Sequence, residues 1–142
     1  MRTFYIFKIN NDYYKITKNM PYNLYKALLN IKLGTKENIT YLKNEYNSLV
    51  DKYNKRELNK YIYGKMSKLD GYNLFNSVHT FNSYYTNEAS KLIVNNSYMI
   101  LKTNTITPYF LDYLEDIPNL FLIDFEKGDY FYLSNLVNIY YN

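Results

Sequence analysis

The feature that most constrains the fold is the opening run Phe4-Tyr5-Ile6-Phe7-Lys8-Ile9, which carries aromatic and β-branched residues at odd and even positions alike. Successive side chains of a strand point to opposite faces, so such a run has both faces buried. It reads as a strand in the centre of a sheet, ended by Asn10-Asn11-Asp12.

Helical signals follow. Pro21 suits a first helical turn, and Leu24, Leu28 and Ile31, with Tyr25 and Leu29 beside them, keep a helical period until Gly34, which predicts a helix over about residues 21 to 32. Thr35 is a plausible N-cap for a second helix over 36 to 55, with Glu37 in its first turn. Ile39, Leu42, Tyr46, Leu49, Val50 and Tyr53 line one face of that helix, and Lys43, Asn44, Asn47, Asp51, Asn54 and Lys55 the wet one. From Arg56 to Ser90 the pattern is weaker: Leu58, Tyr61, Ile62, Lys65 and Met66 fit a short helix, and Tyr72 to Phe81 a strand after Asp70-Gly71.

Two hairpins are legible. Lys91-Leu92-Ile93-Val94 and Tyr98-Met99-Ile100-Leu101 flank Asn95-Asn96-Ser97, whose asparagines tolerate the positive φ of a tight turn. Leu120-Phe121-Leu122-Ile123-Asp124-Phe125 and Tyr130-Phe131-Tyr132-Leu133 flank Glu126-Lys127-Gly128-Asp129. Between the hairpins, Thr107-Pro108 starts a helix that carries Phe110, Leu111 and Leu114 and stops before Pro118. No repeat or linker interrupts the pattern. Residues 1 to 142 therefore read as a single α/β (α+β) domain, with one sheet of about five strands, largely antiparallel hairpins, flanked by three to four helices.

Composition agrees with one real core: 142 residues, 47% apolar and 21% charged, can bury roughly two-thirds of the unfolded surface. The 20 tyrosines share AT-rich codons with the abundant Asn, Lys and Ile, so their number alone does not mark a stacking surface. Charge is divided unevenly. Residues 1 to 68 hold 14 Lys and Arg against 5 Asp and Glu, whereas residues 69 to 142 hold 3 against 8. A basic half suits nucleic acid or an acidic protein surface, or is simply a set of solvated helix faces. The N-terminal apolar run is cut by Lys8 and followed by no small-residue cleavage site, and no stretch approaches the ~20 apolar residues that span a bilayer. A cytoplasmic protein is expected.

Catalytic signatures are scarce. There is no cysteine, which excludes disulfides and thiolate chemistry. His79 is the single histidine and has no carboxylate near it in sequence. Asp124, Glu126 and Asp129 cluster at the last hairpin and could in principle serve as paired carboxylates or a weak cation site, but turn chemistry accounts for them more cheaply. Gly34, Gly64, Gly71 and Gly128 lie too far apart for a phosphate loop. Neither a cofactor nor a metal is expected, and the chain reads as one that binds a macromolecule. Tyr13-Tyr14, on a polar stretch after the first strand, would make good interface anchors; either ring alone fits equally well as a cap on the core under the helix, but the pair is harder to bury completely.

Two segments carry a family resemblance. Arg2-Thr3-Phe4-Tyr5-Ile6-Phe7-Lys8-Ile9, followed by Tyr13 or Tyr14, looks like the opening aromatic strand and aromatic connection of the SirA family, sporulation-linked inhibitors of bacterial replication initiation. Leu120 to Phe125, the short turn, and Tyr130-Phe131-Tyr132-Leu133-Ser134-Asn135 are similar to that family's closing hairpin. The resemblance implies an α/β fold and a non-enzymatic function: binding the N-terminal domain of the initiator DnaA, with no membrane and no direct nucleic-acid contact required. It points to Tyr13 and Tyr14 as partner-binding residues, and more loosely to Tyr46, Lys52 and Tyr53 on the second helix. An extra residue between first strand and first helix leaves the family's second aromatic position nearest Ile16 or Thr17. Two other readings remain: a small basic nucleic-acid-binding protein whose lysines meet phosphates and tyrosines stack on bases, and a small hydrolase built on Asp124, Glu126 or Asp129.

Overall fold

A computed structural model describes residues 1–134. Asn135, the last residue of the family-like closing segment, lies outside them. The fold is α+β, organised by one antiparallel sheet. Its strands are β1 (Arg2–Ile9), β2 (Val50–Asp51), β3 (Tyr72–Phe75), β4 (Val78–Ser83), β5 (Glu88–Val94), β6 (Met99–Thr103), β7 (Leu120–Asp124) and β8 (Asp129–Tyr132). The order is β3-β4-β5-β6-β1-β7-β8, with β2 beside the end of β1. The helices are α1 (Asn11–Thr17), α2 (Pro21–Lys32), α3 (Ile39–Leu49), α4 (Lys55–Met66) and α5 (Tyr109–Leu114).

The opening run is central, as its double-sided apolar character requires. Tyr5 pairs with Ile100 on one side and Ile123 on the other. Phe4 and Ile6 enter a core completed by Leu58, Ile62 and Met66 of α4 and Phe110, Leu111 and Leu114 of α5. Phe7 and Ile9 enter a second core, with Leu24 and Leu28 of α2, Leu49 of α3, and Phe121, Ile123 and Tyr132 of the last hairpin. Two helical layers thus sandwich the sheet, and β1 contributes to both cores.

Among the described residues the sheet has eight strands where about five were expected, and there are five helices where three to four were expected. The expected strand from Tyr72 to Phe81 is a hairpin, because Asn76 takes a φ of 55° and turns the chain between β3 and β4. The turn after β5 is not the left-handed one anticipated. Asn95 to Tyr98 closes with the Asn95 amide donating to the Tyr98 carbonyl at 3.0 Å, and the positive φ values fall instead at Asn76, Asn87 and Asn119. A four-residue connection needs no left-handed residue.

The predicted second helix, 36 to 55, is also corrected. A 3-10 turn (Lys36–Asn38) precedes α3, which ends at Leu49 as Val50 and Asp51 go extended to pair with Ile9 and Lys8. The chain then passes the end of the sheet, its Tyr53 amide donating to the Asn96 carbonyl at 2.6 Å. Tyr53 therefore packs in the core under α4, opposite the core that holds Leu49 and Val50. Helical periodicity ran on across this crossing only because apolar residues are needed on both sides of it.

α5 begins one residue later than the sequence implied. Pro108 is its N-cap with no side-chain bond of its own, and the cap comes from β5: the buried Glu88 carboxylate accepts the Tyr109 amide at 3.3 and 3.4 Å. Burial raises the Glu88 pKa, against the lowering effect of hydrogen bonds from Ser90 and Tyr109.

Candidate interaction surfaces

The stretch expected to be a polar connection after β1 is α1. Asn10 both ends the strand and caps the helix, its Oδ1 accepting the Asp12 amide at 3.0 Å, while Asp12 sits in the first turn where the dipole favours it. Once helical, Tyr13, Tyr14, Ile16 and Thr17 part company. Tyr14 is half-buried, its ring 5.0 Å from that of Tyr132. Thr17 is buried; its hydroxyl lies 2.6 Å from the Tyr13 carbonyl and 2.7 Å from the Tyr132 hydroxyl. These two hold α1 on β8. Tyr13 and Ile16 stay exposed, at 38% and 70%.

The exposed strip continues beyond them. Met20 is 58% and Tyr22 55% exposed, so residues 13 to 22 display four large apolar side chains, interspersed with the exposed lysines Lys15 and Lys18. α1 packs on α2, which follows it directly. Neither Met20 nor Tyr22 stands out in the sequence, because Pro21 between them signals a helix start and says nothing of exposure. Tyr22, two residues from Leu24, falls off the face set by Leu24 and Leu28, which is a readable signal; Met20, four residues before Leu24, keeps that period and gives none.

Tyr46, Lys52 and Tyr53 do not join this strip. Tyr46 lies against the sheet, its ring 6.1 Å from Phe7 and its hydroxyl donating to the Ser97 carbonyl at 2.9 Å. Lys52 is exposed and shares with Tyr46 the lining of a groove beside α3. Tyr53 is buried, donating its hydroxyl to the Ile6 carbonyl at 3.1 Å. A second aromatic pair, Tyr84-Tyr85, stands fully exposed at the tip between β4 and β5; it went unmarked because that segment gave no readable pattern.

The three carboxylates near the last hairpin do not converge on a cavity. Asp124 is buried, with Oδ2 3.1 Å from Arg2 Nε and Oδ1 accepting the Lys127 amide at 3.1 Å. Burial alone would raise its pKa, but the turn amides and the Arg2 guanidinium outweigh it and hold the carboxyl below its usual range. Asp129 pairs with the same Arg2, and Glu126 is exposed. They form a turn clamped to β1.

His79 is buried and satisfied at both nitrogens. The Tyr72 hydroxyl meets Nδ1 at 2.7 Å and Asn59 Oδ1 meets Nε2 at 2.8 Å, so Nε2 carries the proton and Tyr72 donates. Burial lowers the pKa of the imidazole from 6.5 to about 4. The unfolded chain thus binds the proton first, and the contribution of His79 is complete above pH 6.5, declines as pH falls toward 4, and is flat below. Over that window the loss amounts to roughly 3 kcal/mol. Glu88, whose pKa is raised, works in the opposite sense, so a direct readout is preferable. The single imidazole resonance should titrate near pH 4 by NMR; a midpoint near 6.5 would contradict the buried, neutral ring.

Among the described residues no group of three or more His, Cys, Asp or Glu side chains is placed to hold a metal ion, and no helix is long and apolar enough to cross a membrane. No protein-family model matches the chain, and no curated protein matches it.

Proposed function

We propose that this is a cytoplasmic, non-enzymatic interaction protein that docks on another protein through the strip from Tyr13 to Tyr22, and that its partner is the N-terminal domain of the replication initiator DnaA, whose firing it inhibits. The observation that carries the reading is the exposure of Tyr13, Ile16, Met20 and Tyr22 within ten consecutive residues. Tyrosine and methionine are enriched in protein-binding patches, and the rim of such a patch is polar. The basic balance of the first half favours an acidic partner surface. The partner itself is supported by the resemblance of the β1 and β7–β8 segments to the SirA family.

Calorimetric titration of the whole chain with the N-terminal domain of the cognate DnaA should give a one-to-one complex with a dissociation constant below about 10 µM, near 7 kcal/mol of binding energy. Absence of binding at tens of micromolar would remove DnaA as the partner. Affinity that falls steeply with salt for duplex or single-stranded DNA, and not for protein, would favour the nucleic-acid reading instead.

A further inference from the structure

A second surface, independent of the strip, lies where α2 and α3 meet the sheet. A cleft of about 280 Å³ opens there, walled by the rings of Tyr5, Phe7, Tyr46, Tyr98 and Phe125. Centroid distances among these rings run from 5.5 Å for Tyr5 and Phe125 to 6.4 Å for Phe7 and Tyr98, all tilted or edge-on, with no parallel stack. Lys32 stands at its edge, Nζ 4.3 Å from the Phe125 centroid and 5.6 Å from that of Tyr5. Ile31, Tyr46 and Ser97 also line an adjoining groove of about 510 Å³, so the two spaces meet.

The adjoining groove is lined by Lys36, Lys43 and Lys52, and no Asp or Glu lines either space. Both ion pairs among the described residues are made by Arg2, so these lysines have no carboxylate partner there. The result is an aromatic cleft with a purely cationic margin, and with the adjoining groove the space falls in the size range of small-molecule sites. Aromatic walls select flat rings, and unpaired ammonium groups select an anion.

We infer that the cleft binds a small anionic ligand with a flat ring system, the ring between Tyr5, Tyr98 and Phe125 and its carboxylate, sulfonate or phosphate group at the lysine margin. The ring supplies apolar burial. The anion supplies charge-assisted hydrogen bonds, which are stronger than neutral ones.

The test uses a matched pair of dyes on the full chain: anilinonaphthalene sulfonate, and phenylnaphthylamine, which has the same rings without the charge. Fluorescence titration should show one saturable sulfonate site on protein whose near-ultraviolet circular dichroism stays native in either dye, with the neutral dye bound at least about tenfold more weakly. The Lys36→Glu/Lys43→Glu/Lys52→Glu variant should lose about tenfold or more for the sulfonate and little for the neutral dye. Ile31→Trp, at the junction of the two spaces, should weaken both. Equal affinity for the two dyes, or sulfonate binding unmoved by the lysine variant, overturns the inference. Neither result depends on whether DnaA binds, because no residue of the strip lines the cleft.

Discussion

The Tyr13→Ala/Ile16→Glu variant is expected to bind the N-terminal domain of DnaA at least a hundredfold more weakly than the natural chain, with its melting temperature moved by no more than about 2 °C. Anchors at the centre of an interface cost about 2 kcal/mol or more each when truncated, and a carboxylate placed against an apolar or acidic partner adds desolvation and repulsion. Two such losses multiply to a hundredfold or more. Stability is spared because Ile16 is 70% exposed and Tyr13 is the less buried member of its pair. The contrast is with Tyr14 and Thr17, which rest on Tyr132: changing those should lower stability and affinity together. Calorimetry beside thermal melts separates the two cases, and a double variant that melts normally and still binds undiminished would exclude the strip as the docking surface.

The second large effect is on stability. Gly71→Ala should destabilise the fold by about 3 kcal/mol or more, a drop of roughly 10 °C for a chain of this size. Gly71 has φ +91°, where side chains are strained, and a Cβ built there would fall 2.0 Å from the Asn82 carbonyl oxygen. That carbonyl cannot simply swing aside, since the neighbouring Asn82 amide donates to the Gly71 carbonyl at 3.1 Å. Relief requires moving the start of β3 away from β4, disturbing the pairing of Tyr72 with Phe81 and the Tyr72 hydroxyl held on His79. Urea unfolding measures the loss. Gly64→Ala is the control: no atom lies within 4 Å of a Cβ there, and in a helix alanine is favoured over glycine by up to about 1 kcal/mol.

The sequence was most informative where a single rule governs a segment. The span of α2 follows from Pro21 and the Leu24-Leu28 spacing, and the centrality of β1 from its two apolar faces. It was least informative where two rules overlap. Asn10 serves a strand end and a helix start at once, so α1 read as connection. Leu49, Val50 and Tyr53 satisfy a helical period although they serve two cores on opposite sides of the sheet. The Asn76-Ser77 turn that divides β3 from β4 is only two residues long between Phe75 and Val78, so it left no visible break in the strand pattern. The same overlap shaped the candidate site. Tyr13, one of the two adjacent aromatics, and Ile16, one of the two positions the resemblance pointed to, lie exposed, while Thr17 and Tyr53 lie inside the fold. Adjacency in sequence does not say which member of a pair a helix turns inward, and the cleft beside α3 draws on Tyr5, Phe125 and Lys32, which no local pattern connects.

The position of β1 between β6 and β7 also has a kinetic side. Apart from the two-residue β2 at its end, its partners are residues 99 to 103 and 120 to 124, so most of the first strand to be synthesised is among the last to be paired. At about 5 to 20 residues per second, roughly 5 to 20 seconds elapse between translation of β1 and the arrival of β6. Throughout that interval the short β2 can pair only with the end of β1, so a strand apolar on both faces waits with most of its ladder unmade, which sets a slow, topology-limited closing step on refolding.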